Sequence, residues 1–350
     1  MRRKTFIYFM IVMTIMLTTI ITLYWSVVQS AQAQAEHSTC QPTGYMQDSM
    51  ILTAARIVTK SRSIDDTSIN ATGCNIGVYF APSSSGTISD AKIFGANYYG
   101  VLNNGGRVTI TRSQIHDIGE KPLNGSQHGV GISFISDSRS SASGSIIDNR
   151  VQNYQKNGIV VKGSNTSATV KQNTVLGQGP VNYIAQNGIE VGFGAKATVS
   201  DNTVRGNSYT GPNGASSGGI LVFGGSCYGA PLTTNTRITG NTLIGNDVGV
   251  FLSNLSDTTS CPAPATTPTR ILVRDNLIRN DRVNNKTGTN LAGQPGGYQA
   301  GVSDQGNFDI IEDNHICAAG YTQVAPPPPY LYRIDITRTN NPIVRHNTSC

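Results

Sequence analysis

Residues 158–204 read GIVVKGSNTSATVKQNTVLGQGPVNYIAQNGIEVGFGAKATVSDNTV, and this stretch holds two copies of one unit. In each copy a glycine precedes apolar residues at alternate positions. An asparagine follows later, with one apolar residue three positions before it and another two positions after it. Apolar residues that alternate with period two predict strands, and the Gly, Asn, Ser and Thr between them predict turns.

The asparagine phrase recurs along the rest of the chain in the same frame, at intervals of 24 to 39 residues. Its centres are Asn149, Asn173, Asn202, Asn241, Asn276, Asn314 and Asn347. Three earlier copies carry Thr67, Ala91 or Ser113 instead. An asparagine at a bend tolerates left-handed backbone angles, and its amide can hydrogen-bond to the asparagine of the next unit. The alternative is a set of ordinary turn residues, but the fixed frame favours a ladder.

The glycine phrase begins at Gly77, Gly100, Gly129, Gly158, Gly188, Gly219, Gly249 and Gly301. Short strands with one apolar side, and no helix to cover that side, can bury it if the chain coils and each turn stacks on the previous one. The irregular intervals exclude the strict hexapeptide rhythm of left-handed β-helices. The sequence therefore predicts an all-β, single-stranded right-handed parallel β-helix of about nine to ten coils with an inward Asn ladder.

On these phrases, residues 64–350 resemble the pectate-lyase-like superfamily of right-handed parallel β-helices. The resemblance implies the fold, but the superfamily includes lyases, hydrolases, epimerases, tailspikes and proteins with no known chemistry. Its enzyme motifs are missing here. His128-Gly129 is similar to part of the Gly-His-Gly of polygalacturonases, whose other motifs are absent, as are those of pectate lyases and mannuronan epimerases.

The N-terminal segment predicts export. Arg2, Arg3 and Lys4 precede the apolar run 6–28, and Ala31-Gln-Ala-Gln-Ala35 offers two cleavage sites. Residues 1–35 are thus expected to be a signal peptide, or an N-terminal membrane anchor if uncleaved, because the run is long enough to span a bilayer. Residues 36–63 are expected to form a cap with a helical turn at 52–57, and residues 64–350 the β-helix. The protein is expected to be extracellular or on the cell surface.

Six cysteines in an exported chain predict disulfides. Fifteen pairings are possible, but intervals close to one repeat favour Cys40–Cys74, Cys227–Cys261 and Cys317–Cys350. A rung step of ~4.8 Å suits the Cα separation of a disulfide. A zinc site is disfavoured because no Cys-x-x-Cys is present.

The net charge does not indicate a particular class of binding partner. Three of the 26 basic residues lie in the targeting segment, which leaves 23 against 20 acidic ones. No basic run follows residue 4, so a nucleic-acid partner is not expected.

No cofactor is expected. A calcium site at Asp148, Asp201, Asp275 and Asp313, which precede ladder asparagines, is conceivable, but bends explain these residues better. A monomer is expected.

Candidate chemistry lies on outward positions of the glycine strands. Counted from the glycines, one row contains Tyr79, Leu102, Val160, Glu190, Leu221 and Phe251, and the next contains Ser133, Lys162, Phe223 and Ser253. Five titratable side chains could converge on this face and move a proton at the carbon beside a uronate carboxylate. They are Lys162, Glu190, His128, Asp137 and Arg139. A surface salt bridge is the alternative. Tyr79, Phe223 and Phe251 are candidate rings for stacking on sugars.

Two functions follow. One is binding of an acidic polysaccharide along an elongated groove, with cleavage or epimerisation by a lyase, glycoside hydrolase or epimerase left open. The other is a non-catalytic extracellular scaffold or adhesive protein.

Overall fold

The computed structural model describes residues 39–350 apart from Ser138 and Thr259. The predicted signal peptide or anchor, residues 1–35, lies outside the described residues. In the described part, no helix has the length and apolar character that crossing a bilayer requires. Almost all of the regular structure there is β-strand, arranged in three sheets.

The strands fall into three sets that alternate along the chain. The first sheet contains β1 (Gln41–Gln47), β2 (Met50–Val58), β5 (Ile76–Phe80), β8 (Tyr99–Asn104), β11 (Val130–Ile135), β14 (Asn157–Lys162), β17 (Asn187–Gly192), β20 (Gly218–Gly224), β23 (Val248–Asn254), β26 (Tyr298–Asp304) and β29 (Tyr330–Asp335). The second contains β3 (Ser61–Asp65), β6 (Ser85–Ser89), β9 (Arg107–Thr111), β12 (Ala142–Ile147), β15 (Thr166–Lys171), β18 (Lys196–Ser200), β21 (Arg237–Thr239), β24 (Leu272–Arg274), β27 (Ile310–Glu312) and β30 (Ile343–Arg345). The third contains β4 (Ser68–Asn70), β7 (Lys92–Phe94), β10 (Gln114–Ile118), β13 (Arg150–Tyr154), β16 (Thr174–Val181), β19 (Thr203–Tyr209), β22 (Thr242–Ile244), β25 (Leu277–Arg279) and β28 (His315–Cys317).

From β2 to β27, each strand pairs in parallel with the strand three places further along the chain, as β14 does with β17 and β17 with β20. This is the pairing of a parallel β-helix, and the ten strands of the second sheet correspond to ten coils. Inward residues such as Val161, Val191 and Val222 stack in one continuous apolar core. The predicted fold class and coil number are confirmed.

The start of the stack differs from the sequence prediction. Residues 52–57 lie within the strand β2 and do not form the predicted helical turn. Strand β2 pairs with β1 on one edge, in antiparallel fashion, and with β5 on the other. Pairing on both edges outweighs the helix propensity of Ala54 and Ala55. The stacked strands therefore begin at Met50, inside the segment 36–63 that was expected to be a cap.

The asparagine ladder runs through the interior. The Nδ2 of Asn173 donates to Oδ1 of Asn202 at 2.9 Å, and that of Asn202 donates to Asn241 at 3.0 Å. Each Oδ1 also accepts from the backbone N–H of the preceding ladder residue, as Asn202 does from Asn173. Ser113 occupies the position one coil earlier, where its N–H donates to Asn149. The ladder thus satisfies buried amides that would otherwise lack partners.

The left-handed backbone angles lie one residue earlier than predicted. At these bends the residue with positive φ is the one that precedes the ladder asparagine, as at Asp148, Gln172, Asp201, Asp275 and Asp313. A short acidic or amide side chain tolerates this conformation, and the asparagine after it remains free to point inward. The turn geometry therefore accounts for the aspartates that were considered for calcium.

The recurring glycines have a steric cause. A Cβ at Gly158 would lie 2.6 Å from the carbonyl oxygen of Gly188 and 2.4 Å from a methyl of Val175. The same close approach links Gly131 to Gly158, whereas Gly129 lies outside this series. Only glycine fits where the first sheet meets the third so closely. The repeat unit at β11 therefore starts at Gly131 and not at Gly129.

Three disulfides join the pairs that the spacing favours: Cys40–Cys74, Cys227–Cys261 and Cys317–Cys350. Their Cα separations are 5.3, 5.5 and 5.2 Å, close to the step between coils. The Cys227–Cys261 and Cys317–Cys350 bonds link neighbouring coils, and the Cys40–Cys74 bond ties the residue before β1 to the loop before β5.

Two buried carboxyl groups near the C-terminal coils set a dependence of stability on pH. Asp309 accepts hydrogen bonds from Thr269 and from the Ile271 N–H, and it lies beside Asp304. Burial, together with the Asp304 charge, raises the pKa of Asp309 well above its ordinary value. The folded protein therefore retains a proton that the unfolded chain releases, so the free energy of unfolding should fall as pH rises above about 4.

Asp309→Asn should flatten this dependence and stabilise the protein at pH 8 by about 2 kcal/mol, because an amide supplies the donor to Asp304 without titrating. Urea unfolding between pH 4 and 8 measures the effect. The exposed Asp313→Asn is the matched control and should follow the wild type. A wild type whose stability rises over this interval would contradict the retention of a proton by Asp309.

Candidate functional site

An elongated cavity of about 860 Å³ lies on the outer face of the first sheet, across the strands β8 to β23. We call it the trough. Because the strands are parallel, residues before them form one wall and residues after them form the other. The first wall includes Gln127, Lys156, Ala185, Ala215 and Ser216. The second includes Ser136, Gly163, Phe193 and Tyr228.

The register of the strands defines the floor. Ser133 pairs with Val160, Val160 with Glu190, and Glu190 with Leu221. Ser133 therefore belongs to the row of Glu190 and not, as was predicted from the sequence, to the row of Lys162. The error follows from counting from Gly129, two residues before the glycine that the repeat uses.

Glu190 is the buried acid of the trough. It is 7 % exposed and accepts a hydrogen bond of 3.0 Å from Nδ2 of Asn157. Burial raises the pKa of Glu190 above its ordinary value, although the charges of Lys156 and Lys162 and the hydrogen bond from Asn157 favour the ionised form. A carboxyl group with a raised pKa in a cleft is suited to hold or move a proton.

Two lysines flank Glu190 from opposite walls. The Lys156 ammonium donates to the carbonyl oxygen of Ala185 at 2.9 Å, and burial lowers the pKa of Lys156 although the Glu190 charge opposes this. The Lys162 ammonium lies 4.2 Å from the centre of the Phe193 ring, within cation–π distance. Among the described lining residues these three are the charged ones, so the trough has an excess of positive charge.

Aromatic rings line the second wall and the far end. Phe223 lies 4.7 Å from Phe193 and 5.3 Å from Tyr228, measured between ring centres. The Tyr228 hydroxyl is within 2.8 Å of the Ser253 hydroxyl. Of the three rings expected to stack on sugars, Phe223 and Phe251 line the trough. Tyr79 does not, because it is 2 % exposed and packs beneath Tyr45.

Three of the predicted catalytic residues lie elsewhere. His128 is stacked on Tyr98, with ring centres 3.8 Å apart, and its Nε2 lies 2.7 Å from Glu120. Asp137 accepts hydrogen bonds from the backbone N–H groups of Arg139 and Ser140, so its carboxylate caps an exposed turn. Neither Asp137 nor Arg139 lines the trough. Of the five candidates, the structure brings together only Lys162 and Glu190.

Four residues that line the trough were not predicted from the sequence: Lys156, Asn157, Asn187 and Tyr228. Asn157 and Asn187 stack on adjacent strands, where Nδ2 of Asn187 donates to Oδ1 of Asn157 at 3.2 Å. The recurring Asn-Gly at the start of β14 and β17 was the available signal. Tyr228 gave none, because a loop tied by Cys227 carries it.

One group of metal-type ligands occurs among the described residues, namely His315, Cys317 and Cys350. Both sulfur atoms belong to a disulfide, so they are not thiolate ligands. The geometry here is that of a covalent link between coils.

The family model for the right-handed β-helix region matches residues 54–229, and the chain belongs to this family. The match confirms the predicted hand of the coil. Among solved structures, the crystal structure of the Dettilon tailspike protein is similar to 83 % of this chain, with a TM-score of 0.51 and 15 % identity. The similarity covers 55 % of the tailspike chain, about half its length. No curated protein matches the chain.

Proposed function

We propose that this protein is an extracellular carbohydrate-binding β-helix whose trough holds an acidic oligosaccharide. The observation that carries the proposal is the combination of Lys156, Lys162 and a largely buried Glu190 with aromatic rings in one elongated cavity. Sugar faces stack on aromatic rings, and the excess of positive charge favours a carboxylate or sulfate. The three disulfides support an oxidising, extracellular setting.

Binding of purified secreted protein to uronate polymers (polygalacturonate, alginate, hyaluronan) and to neutral glucans tests the proposal. We expect binding to at least one uronate polymer that weakens with salt. The double substitution Lys156→Met and Lys162→Met keeps the apolar stems and should lower affinity about a hundredfold, since two charge-assisted contacts are lost.

Lys196→Met on the exposed outer face of the second sheet is the matched control and should leave affinity unchanged. Equal binding of neutral and acidic glycans, or a double variant with wild-type affinity, would contradict the proposal. An absence of binding to every glycan would favour a non-catalytic scaffold.

A second candidate function is proton transfer at the carbon beside a uronate carboxylate. The observation that favours it is the raised pKa of Glu190 between two ammonium groups. In such a reaction Glu190 would carry the proton and Lys162 would stabilise the developing negative charge. Turnover of a bound uronate polymer that is lost in Glu190→Gln, with binding retained, would establish this function. Unchanged turnover would exclude it.

A further inference from the structure

The antiparallel hairpin formed by β1 and β2, which we call the N-terminal hairpin, covers one end of the trough. In the floor row, Tyr79 and Leu102 precede Ser133 and are 2 % and 0 % exposed. They belong to an apolar cluster on the outer face of the first sheet, against which Tyr45 packs. A ligand lying along the row therefore cannot continue past Ser133 towards the N-terminal coils.

The tip of this hairpin is fixed to the trough and to the loop beside it. Asp48 and Ser49 both have positive φ, as in the tight turns that match strand twist. The Tyr99 hydroxyl donates to Oε1 of Gln47 at 2.7 Å. The Asp48 carboxylate lies 3.9 Å from Nδ1 of His128. The hairpin is thus an anchored wall.

The opposite end is covered as well. The floor row continues from Phe251 to Ser303, which is 0 % exposed. The Tyr298 hydroxyl donates to Asp335 at 2.9 Å and lies 2.8 Å from the Ser303 hydroxyl. A second outer apolar cluster is centred on Tyr298, and Phe251 and Leu291 pack against it. The row is therefore blocked on both sides of the trough.

We infer that the trough recognises a chain end or a short oligosaccharide and excludes the interior of a long polymer. The inference rests on the proposed function. The uncovered floor row runs from Ser133 to Phe251 over five strands, which at ~4.8 Å per step is about 19 Å. At the hairpin end, Gln47, Tyr99 and Gln127 line the cavity. Their amide and hydroxyl groups match the hydroxyls of a terminal sugar, which has one more free hydroxyl than an internal one.

The number of protein molecules bound per polysaccharide chain distinguishes recognition of a chain end from binding along the interior of the polymer. Polygalacturonate, alginate and hyaluronan, each fractionated into short, medium and long chains, are saturated with protein, and the protein bound per chain is measured by sedimentation. End recognition predicts no more than one protein per chain end at every length. A number that grows with chain length would overturn the inference and leave the proposed function standing. No binding to any fraction would overturn both.

A substitution at the hairpin tests its part in recognition. Gln47→Ala should lower affinity for the shortest bound fraction about tenfold, the value of one hydrogen bond to a ligand. Gln41→Ala, in the same hairpin but outside the trough, is the matched control and should bind as the wild type does. Equal affinity of both variants and the wild type would overturn the terminal contact at Gln47.

Discussion

Asn202→Ala should lower the free energy of unfolding by about 4 kcal/mol, because two buried backbone groups lose their partners at about 1–3 kcal/mol each. One group is the Asn173 N–H, which donates to Oδ1 of Asn202. The other is the Val170 carbonyl, which accepts from Nδ2 of Asn202. The Asn241 amide below loses one donor in addition. Chemical denaturation with the disulfides intact measures the loss.

Hydrogen exchange locates the effect of the same substitution. The backbone of each coil pairs with the coils on either side of it, so exchange should accelerate most near Asn173 and Asn241. Asn165→Ala is the matched control, because the Asn165 side chain is exposed and donates only to the Asp137 carbonyl. We expect a change below about 0.5 kcal/mol there. Equal losses in the two variants would mean that the ladder does not stabilise the stack.

Asp247→Ala should destabilise the protein by a similar amount, about 4 kcal/mol. The buried carboxylate accepts from the Ser208 hydroxyl at 2.6 Å, from the N–H groups of Tyr209 and Ser217, and from Nδ2 of Asn285. All four donors lose this acceptor in the variant. Because Asp247 joins the loop before β20 to the loop before β26, limited proteolysis should cleave both loops faster.

The effect of Asp247→Ala should depend on pH. Burial raises the pKa of Asp247 from 3.8 to about 6 in the folded protein. The folded wild type therefore binds more protons than the unfolded chain between these values, and its stability falls as pH rises. The variant lacks this titration. The difference in the free energy of unfolding between wild type and variant should therefore become smaller as pH rises from 4 to 7. Asp281→Ala, which removes an exposed ion pair with Arg279 in the second loop, is the control and should have little effect.

The coil and the ladder were predictable because their residues recur in one frame. Each ladder asparagine has the same neighbours in sequence and in space, so a pattern in the chain translates directly into stacking. A second, shorter ladder was not predicted: Nδ2 of Asn207 donates to Oδ1 of Asn246 at 2.9 Å. Two members in variable surroundings do not form a recognisable phrase.

The trough was predictable only where the strands form it. Lys162 and Glu190 lie at fixed offsets from glycines, and their diagonal placement follows from the register. The walls and ends depend on loops of irregular length and on contacts distant in sequence, such as that between Gln47 and Tyr99. His128 failed as a candidate because nothing in its phrase reveals that Glu120 and Tyr98 surround it.

Strand β17 places Ile189 and Val191 in the core and Glu190 in the trough. Positions that face the trough and positions that hold the coils together thus alternate along one strand. Under the proposed function, substitutions at the outward positions would change the surface that a ligand contacts while the inward residues keep the core, so ligand preference would diverge between lineages on one inherited architecture. A library restricted to Ser133, Val160, Glu190 and Leu221 would exploit the same separation for directed evolution.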